Sequence, residues 1–452
     1  MTTTPLVALQ RPKDISLDEI EAELSAIWRS QNSDQAAAVA TRASTFSMVV
    51  YAPEEYQQLL AILGFYDGAI DSSLGPDTRA AIEQAQKAYG LPITGRLDPP
   101  TLAHLRQEVA KLPPDRLKFA NPDFRGTSIS EAIAAQNPCR IITLCPTLGE
   151  DVGVTAQVSA YCPVQKSSGG NLICCEYISL HGTKEALNRV GDLVTSLMIP
   201  DLPKFVWWKA TPNPDQELFK RLIDYCHCVV LDTSYHSAPE PEFLKIQSLI
   251  NASTFVADLN WHRLSAWQEL TAATFDPPDR RIALGEIDRI TIDYERGNAA
   301  QALMFLSWFA SRLGWQPRTY SETGYDIYHL RHIQFIGPNQ KPIEAELAAI
   351  PVADPGEISG DLIGLRLTST NPNANCCTII CSEIAGCMRM EAGGSAQECH
   401  TEQVTASGDQ KAEFLLSQQL QRWGRDALYE ESLAVTAAMI KLREAFLETV
   451  KE

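Results

Sequence analysis

Between Asp201 and Trp267 the chain alternates short apolar runs with stretches whose apolar residues recur at three- and four-residue spacing. Lys204–Lys209 (KFVWWK) is rich in aromatic and β-branched residues and closes on a Pro-Asn-Pro turn, which predicts a strand. Leu218, Phe219, Leu222 and Ile223 follow at helical spacing, with Asp215 placed to cap them. Cys226–Asp232 is a continuous apolar strand; Phe243, Leu244, Leu249 and Ile250 give a second helix, and Thr254–Asp258 a third strand. Strands alternating with single helices predict a mostly parallel sheet covered on both faces. Trp207 and Trp208 are neighbours on a strand, so they point to opposite faces and cannot share one core. The run DLNWHR from Asp258 to Arg263 falls where a strand of an open α/β sheet ends, the edge at which ligands and partners dock.

The same reading extends along the chain. Ser16 and Glu19 read as a capping box opening a helix to Trp28, with Ile20, Leu24, Ile27 and Trp28 on one side. Residues 31–42 read as a polar connection and Ser44–Tyr51 as a strand. Residues 53–112 read as three helices punctuated by glycine turns, followed by a Pro-rich return at 111–124 and a short helix at 128–136. Strands at 139–144, 152–164 and 171–180 and a helix at 185–198 resume the sheet. After Trp261 come helices at 264–275 and 298–313, then alternating runs of antiparallel type (YDIYHLRHIQFIG, DLIGLRLTST, CCTIICS, GCMRME). A helix from Ala412 to Val450, broken near Ala427, closes the chain. The expected fold class is α/β plus α+β. A mostly parallel domain (1–52 and 113–260) is interrupted by a three-helix module (53–112) and followed by an antiparallel-sheet-and-helix domain (261–452). Such an insertion is tolerated because loop length costs stability only logarithmically.

Composition narrows the function. A net charge of −18 argues against nucleic acid, which needs clustered Lys and Arg, and against an anionic membrane surface. No apolar run is long enough to span a bilayer, and the N-terminal residues show no secretory h-region, so the expected setting is the cytoplasm. Twelve cysteines in that setting predict reduced thiols rather than a disulfide framework. The chain has no G-x-G-x-x-G after a strand, no P-loop, no H-E-x-x-H and no G-x-S-x-G, so neither a cofactor nor a catalytic set is expected. His227 between Cys226 and Cys228 points away from both thiols on a strand, and His329 and His332 face opposite sides, so no metal site is expected.

Four stretches in order carry a family likeness: LPKFVWW from Leu202, VVLDTS from Val229, DLNWHRLSAW from Asp258 and LSWFASRLGW from Leu306. Together they resemble the glucose-6-phosphate dehydrogenase assembly protein family, OpcA, over residues 16–52 and 125–450. Residues 53–112, with Asp67, Gly68, Gly75, Pro76, Thr78, Arg79, Gly95, Asp98 and Thr101, resemble the peptidoglycan-binding domain type 1. The first resemblance implies a non-catalytic assembly factor and allosteric activator of glucose-6-phosphate dehydrogenase. Aromatics and Arg make the best interface anchors, which points to Trp207, Trp208, Trp261, Arg263 and Trp267, with Asp258 and Asn260 beside them. Two alternatives stay open: a cell-wall binding protein, which needs an export route, and an α/β enzyme holding a sugar phosphate near Asp258 and Asn260.

Ile379–Met390 reads as a hairpin joined by five residues, with Cys381 and Cys387 as its last cross-strand pair, close enough for a disulfide. The resemblance implies thioredoxin control of the dehydrogenase, and this pair is its expected site. Cys399 and the pair Cys376–Cys377 are possible resolving partners, and Cys139 with Cys145 is a weaker rival because intervening strand residues hold them apart.

Overall fold

The computed structural model describes residues 6–31, 40–42, 44–66, 70, 75–112, 139–163, 172–236, 238–325, 328–352, 358, 360–371, 373–374, 377–383, 387–393, 400–406, 411–422 and 424–451. The expected helix at 128–136, the return at 113–124, the Asp67-Gly68 turn, Cys376 and Cys399 lie outside the described residues. The chain forms two compact units. One comprises Met1–Leu231, Thr254–Ala257 and Ala412–Trp423; the other comprises Asp232–Ser253, Asp258–Lys411 and Gly424–Glu452.

Among the described residues, the first unit carries a sheet of nine strands. These are β1 (Leu6–Ile15), β2 (Ala40–Arg42), β3 (Phe46–Tyr51), β4 (Cys139–Pro146), β5 (Thr155–Pro163), β6 (Leu172–Gly182), β7 (Lys204–Trp208), β8 (Cys228–Leu231) and β9 (Val256–Asp258). Their order is β1-β5-β6-β4-β3-β7-β8-β9, with β2 beside β6. The pairs β3/β4, β4/β6, β3/β7 and β7/β8 are parallel, as the alternation of strand and helix predicts. β1 and β5 add an antiparallel edge. The hydrophobic pattern did not single out β1, whose run LVALQRPKDI contains a proline and whose pairing slips twice along its length. Every residue of β3 and of β7 is buried, because a parallel sheet with helices on both faces exposes neither.

Helix α1 (Ile20–Gln31) follows a 3-10 turn, and the Ser16 hydroxyl bonds the Glu19 carboxylate rather than a backbone N–H, so the expected capping box does not form. After β3 the chain enters α2 (Glu55–Ile62), α3 (Pro76–Ala88) and α4 (Pro99–Ala110), which close a core of their own around Leu59, Leu60, Ile82, Leu102 and Leu105. Buried Gln86 staples the connection into α4. Its amide donates to the Thr94 hydroxyl, the Arg96 carbonyl and the Thr101 hydroxyl, and its oxygen accepts from Thr94 and Gly95 N–H. Gly95 sits at φ +60°, where a Cβ would stand 2.7 Å from Glu83 Oε1. Asp98 caps α4 by accepting from Thr101 N–H, so the spacing of Gly95, Asp98 and Thr101 is a turn-and-cap grammar. Leu148, after β4, packs on this core, and Arg106 of α4 donates to its carbonyl at 2.9 Å.

Helices α5 (Lys184–Arg189), α6 (Gly191–Leu197) and α7 (Glu217–Tyr225) complete the first unit's described crossovers. Gln216, not Asp215, occupies the N-cap position of α7. The second unit begins with α8 (Pro239–Asn251), α9 (Leu259–Arg263), α10 (Ser265–Thr274), α11 (Pro278–Ala283), β10 (Arg289–Glu295), α12 (Ala300–Leu313) and β11 (Gln316–Tyr325). It continues through β12 (Tyr328–Ile336), β13 (Pro342–Ile350), β14 (Leu362–Thr368), β15 (Cys377–Glu383), β16 (Cys387–Gly393) and β17 (His400–Ala406). Among the described residues its eight strands run β11-β12-β13-β10-β14-β15-β16-β17, antiparallel except for the parallel pair β10/β13. The break expected near Ala427 separates α13 (Ala412–Gln419) from α14 (Ala427–Lys451). α12 is buried from Ala300 to Ala310 and ends on Gly314 at φ +68°.

Candidate functional site: a closed sheet edge and a buried acid pair

The strand order of the first sheet reverses at β3, which has β4 on one side and β7 on the other. Open parallel sheets bind ligands in the crevice at the carboxyl ends of such strands. Here aromatics fill that position. Tyr51 at the end of β3 stacks on Trp208 at the end of β7, with ring centroids 3.7 Å apart and planes 6° from parallel. Phe219 meets Trp208 edge-on at 4.8 Å, and Gln216 donates to the Tyr51 hydroxyl at 3.4 Å. Burial pushes the Tyr51 phenol up to about 12. Beyond β3 the chain reads Ala52, Pro53, Glu54, Glu55, with no glycine turn. Glu54 pairs with Lys184, so acidic side chains stand where a phosphate-binding turn presents bare N–H groups. On the other sheet face Trp207 is 1% exposed, with the Lys209 ammonium 4.8 Å above its ring.

The second arrangement grows from two strands that end on the same grammar. Asp232 follows β8 and caps a 3-10 turn at Thr233–Tyr235 by accepting from Ser234 N–H. Asp258 ends β9 and caps α9 by accepting from Asn260 N–H at 3.0 Å. Asp258 also accepts from the Thr233 N–H at 3.1 Å and the Thr233 hydroxyl at 2.8 Å. Arg263, one turn into α9, grips Asp232 with both forks, Nη1 to Oδ1 at 2.8 Å and Nη2 to Oδ2 at 2.9 Å. Asn298 donates to the carbonyls of Thr233, Ser234 and His236 and accepts from Ala300 N–H, tying this turn to the start of α12.

Both carboxylates are buried, Asp232 at 4% and Asp258 at 1% exposure. Burial works against ionisation of Asp232, yet the Arg263 guanidinium holds its carboxyl below the usual range. Asp258 has no such partner. Burial, with the Asp232 charge beside it, raises it to about 7 despite its three donors. The Tyr429 phenol is raised well above its ordinary value by burial and by the charges of Asp258 and Asp426. The guanidinium answers the charge of Asp232, and Asp258 beside it holds a proton near neutrality. With these groups interior, the arrangement is a brace.

Of the residues singled out from sequence, Asp258, Asn260 and Arg263 meet here. Asp232, Thr233, Ser234 and Asn298 complete the cluster and were missed. Their signal was legible, since VVLDTS and FVADLN both end a β-run on Asp followed two residues later by a polar side chain. The four tryptophans do not offer the exposed anchors expected of them. Trp208 lies under Tyr51 and Phe219, Trp207 on the opposite covered face, and Trp267 (5% exposed) edge-on to Phe305 at 6.3 Å. Trp261 (4% exposed) donates its indole N–H to Asp426 at 3.0 Å and packs beside Tyr429. Two covered faces provide two cores, so neighbouring tryptophans can both be interior.

The hairpin expectation also needs correction. Cys381 stands opposite Arg389 and Cys387 opposite Glu383, with three residues between the strands rather than five. Cys381 and Cys387 are therefore diagonal neighbours, about 7–8 Å apart in such a register, beyond disulfide reach. His227 accepts the Lys204 N–H at Nδ1.

Residues 130–248 match the family described as glucose-6-phosphate dehydrogenase subunit N-terminal domain, and residues 254–433 the corresponding C-terminal domain. Residues 52–105 match a putative peptidoglycan binding domain. Among solved structures, a levoglucosan dehydrogenase in complex with NADH and L-sorbose aligns with 89% of this chain and 98% of its own, at TM-score 0.41 and 8% identity. A protein of Synechococcus elongatus named putative OxPP cycle protein OpcA is 55% identical over 442 residues, 98% of this chain and 99% of its own. Its namesake in Nostoc punctiforme is 54% identical over 98% of this chain and 97% of its own. With identity of this order along nearly the whole of both chains, and the two dehydrogenase-subunit domains matched in order, the chain belongs to the OpcA family of glucose-6-phosphate dehydrogenase assembly proteins.

Proposed function

We propose that the protein is a non-catalytic assembly factor that binds glucose-6-phosphate dehydrogenase in the cytoplasm and activates it allosterically. The observation that carries this reading is the end-to-end likeness to OpcA proteins, together with the match to both dehydrogenase-subunit domains. The filled crevice at β3 and β7 supports the non-catalytic part, because stacked Tyr51 and Trp208 stand where a nucleotide would lie. Activation requires the protein to bind the active enzyme state better than the inactive one, and a coupling of about 1–3 kcal/mol shifts affinity about 5–150-fold. Asp258, Asn260, Trp261 and Arg263 serve in this reading as the internal brace of the second unit. Trp207, Trp208 and Trp267 serve as core, so the contact with the enzyme is made by other residues. Co-purification with the dehydrogenase, combined with initial-rate kinetics, tests the reading. The expected result is a stable complex with a lower substrate requirement, and no nicotinamide reduction by the protein alone. No complex, or intrinsic turnover, refutes it.

Two finer parts belong to the proposal. Residues 53–112 are an insertion into an α/β domain formed by 1–52 and 113–260, ahead of a domain at 261–452, and limited proteolysis should cut between these segments. Redox control acts through Cys381 and Cys387 with thioredoxin as reductant. Given the register found, that disulfide requires β15 and β16 to slide by two residues, a shift that keeps every side chain on its face. A Cys381→Ser/Cys387→Ser protein whose activation still responds to reductant removes this part. The match of residues 52–105 favours a second reading, wall binding. Sedimentation with purified peptidoglycan decides it, and the expected result is that the protein stays in the supernatant.

A further inference from the structure

We propose that Cys139 and Cys175 form a dithiol site that a peroxide converts to a disulfide, cross-linking β4 to β6. The proposal is independent of the function assigned above. Cys139 opens β4, and the parallel register that pairs Arg140 with Glu176 sets Cys139 beside Cys175, one step earlier on each strand. Their sulfurs are 3.9 Å apart, both thiols are reduced, and both residues are 0% exposed. Neighbouring strands run about 4.7–4.9 Å apart, inside the Cα separation of about 4.4–6.8 Å that a disulfide accepts. Forming the bond therefore asks only that the sulfurs swing together by about 2 Å, with the backbone in place. Cys139 and Cys145 share one strand and lack this geometry. Nothing in the linear sequence joins Cys139 to Cys175, 36 residues away; the crossover topology does.

The two thiols are already differentiated. The Cys139 S–H donates to the Cys175 sulfur, which favours thiolate at Cys175, while burial raises Cys139. The chemistry balances in two steps. The Cys175 thiolate attacks one peroxide oxygen, breaking the O–O bond to give a sulfenic acid and hydroxide, which takes up the thiol proton as water. The Cys139 sulfur then displaces the sulfenic oxygen as a second water, and the S–S bond carries the two electrons lost by the thiols. The cross-link spans 36 residues, against six between Cys381 and Cys387, so it constrains the unfolded chain far more.

The test uses the full-length reduced protein, exposed to hydrogen peroxide and mapped by differential alkylation and mass spectrometry. The expected result is a Cys139–Cys175 peptide pair two hydrogens lighter, reversed by dithiothreitol, with the urea midpoint higher in the oxidised form. A Cys139→Ala protein should stop at a Cys175 sulfenic acid that dimedone traps. Two thiols that still alkylate fully after peroxide treatment and unfolding overturn the proposal, as does Cys175 found linked to another cysteine. The wild-type map decides the matter even if the variant does not fold.

Discussion

Asp232→Asn isolates what holds the second unit's brace together. The substitution keeps the shape of the side chain and one acceptor for Ser234, but removes the charge that faces Arg263 through two hydrogen bonds of 2.8 and 2.9 Å. Arg263 and Asp232 side chains are each only 4% exposed, so water does not replace the lost partner. Breaking a buried pair by removing one member costs about 3–5 kcal/mol. With a urea slope of about 2 kcal/mol per molar, the midpoint for this unit falls by about 2 M. Trp261 packs on Tyr429 in the same unit, so tryptophan fluorescence reports the transition. The double variant Asp232→Asn/Arg263→Met removes both charges and should recover most of the loss, since apolar replacement of a whole buried pair is often neutral. A single variant within about 1 kcal/mol of wild type, or a double variant no better than the single, would refute the brace.

Asp258 gives the pH counterpart. A carboxyl raised to about 7 in the folded chain against about 3.9 unfolded contributes stability that is full below pH 4 and lost as pH rises through 7, about 4 kcal/mol in all. Asp258→Asn, which can keep both backbone donors, should flatten that part of the stability profile between pH 4 and 8 and leave the protein more stable at pH 8; an unchanged slope in urea titrations would count against it. Trp208→Ala should cost about 3–5 kcal/mol by emptying the stack on Tyr51, and Trp208→Phe much less, measured by chemical denaturation. Gly360→Ala should destabilise by about 3 kcal/mol. Its φ is +92° and a Cβ would lie 1.9 Å from the Asn298 carbonyl oxygen, displacing the residue that ties the Thr233 turn to α12; thermal melts compared with Gly285→Ala, where nothing stands within 4 Å, check this.

The linear pattern by itself determined the local grammar. KFVWW, CVVL and FSMVVY are strands because β-branched and aromatic runs bounded by turn residues have few other outcomes, and the helices between them follow from apolar spacing. The three-helix module was equally legible, since its Gly95, Asp98 and Thr101 answer to turn and cap geometry within a few residues. It also determined the family, which rests on ordered residues and not on contacts. What the tertiary structure decided was everything that depends on which strands become neighbours. Burial of both Trp207 and Trp208 follows from two covered sheet faces, which no window of sequence reports. Asp232 and Asp258 read as two separate strand ends until adjacency of β8 and β9 brought them side by side, and the grip of Arg263 on Asp232 is why that acid is held ionised while its neighbour keeps its proton. The cysteines divide the same way. Hairpin length placed Cys381 across from Cys387, and a register two residues different undid it, whereas the parallel crossover set Cys139 beside Cys175, because side-chain partners in a sheet are fixed by register rather than by distance along the chain.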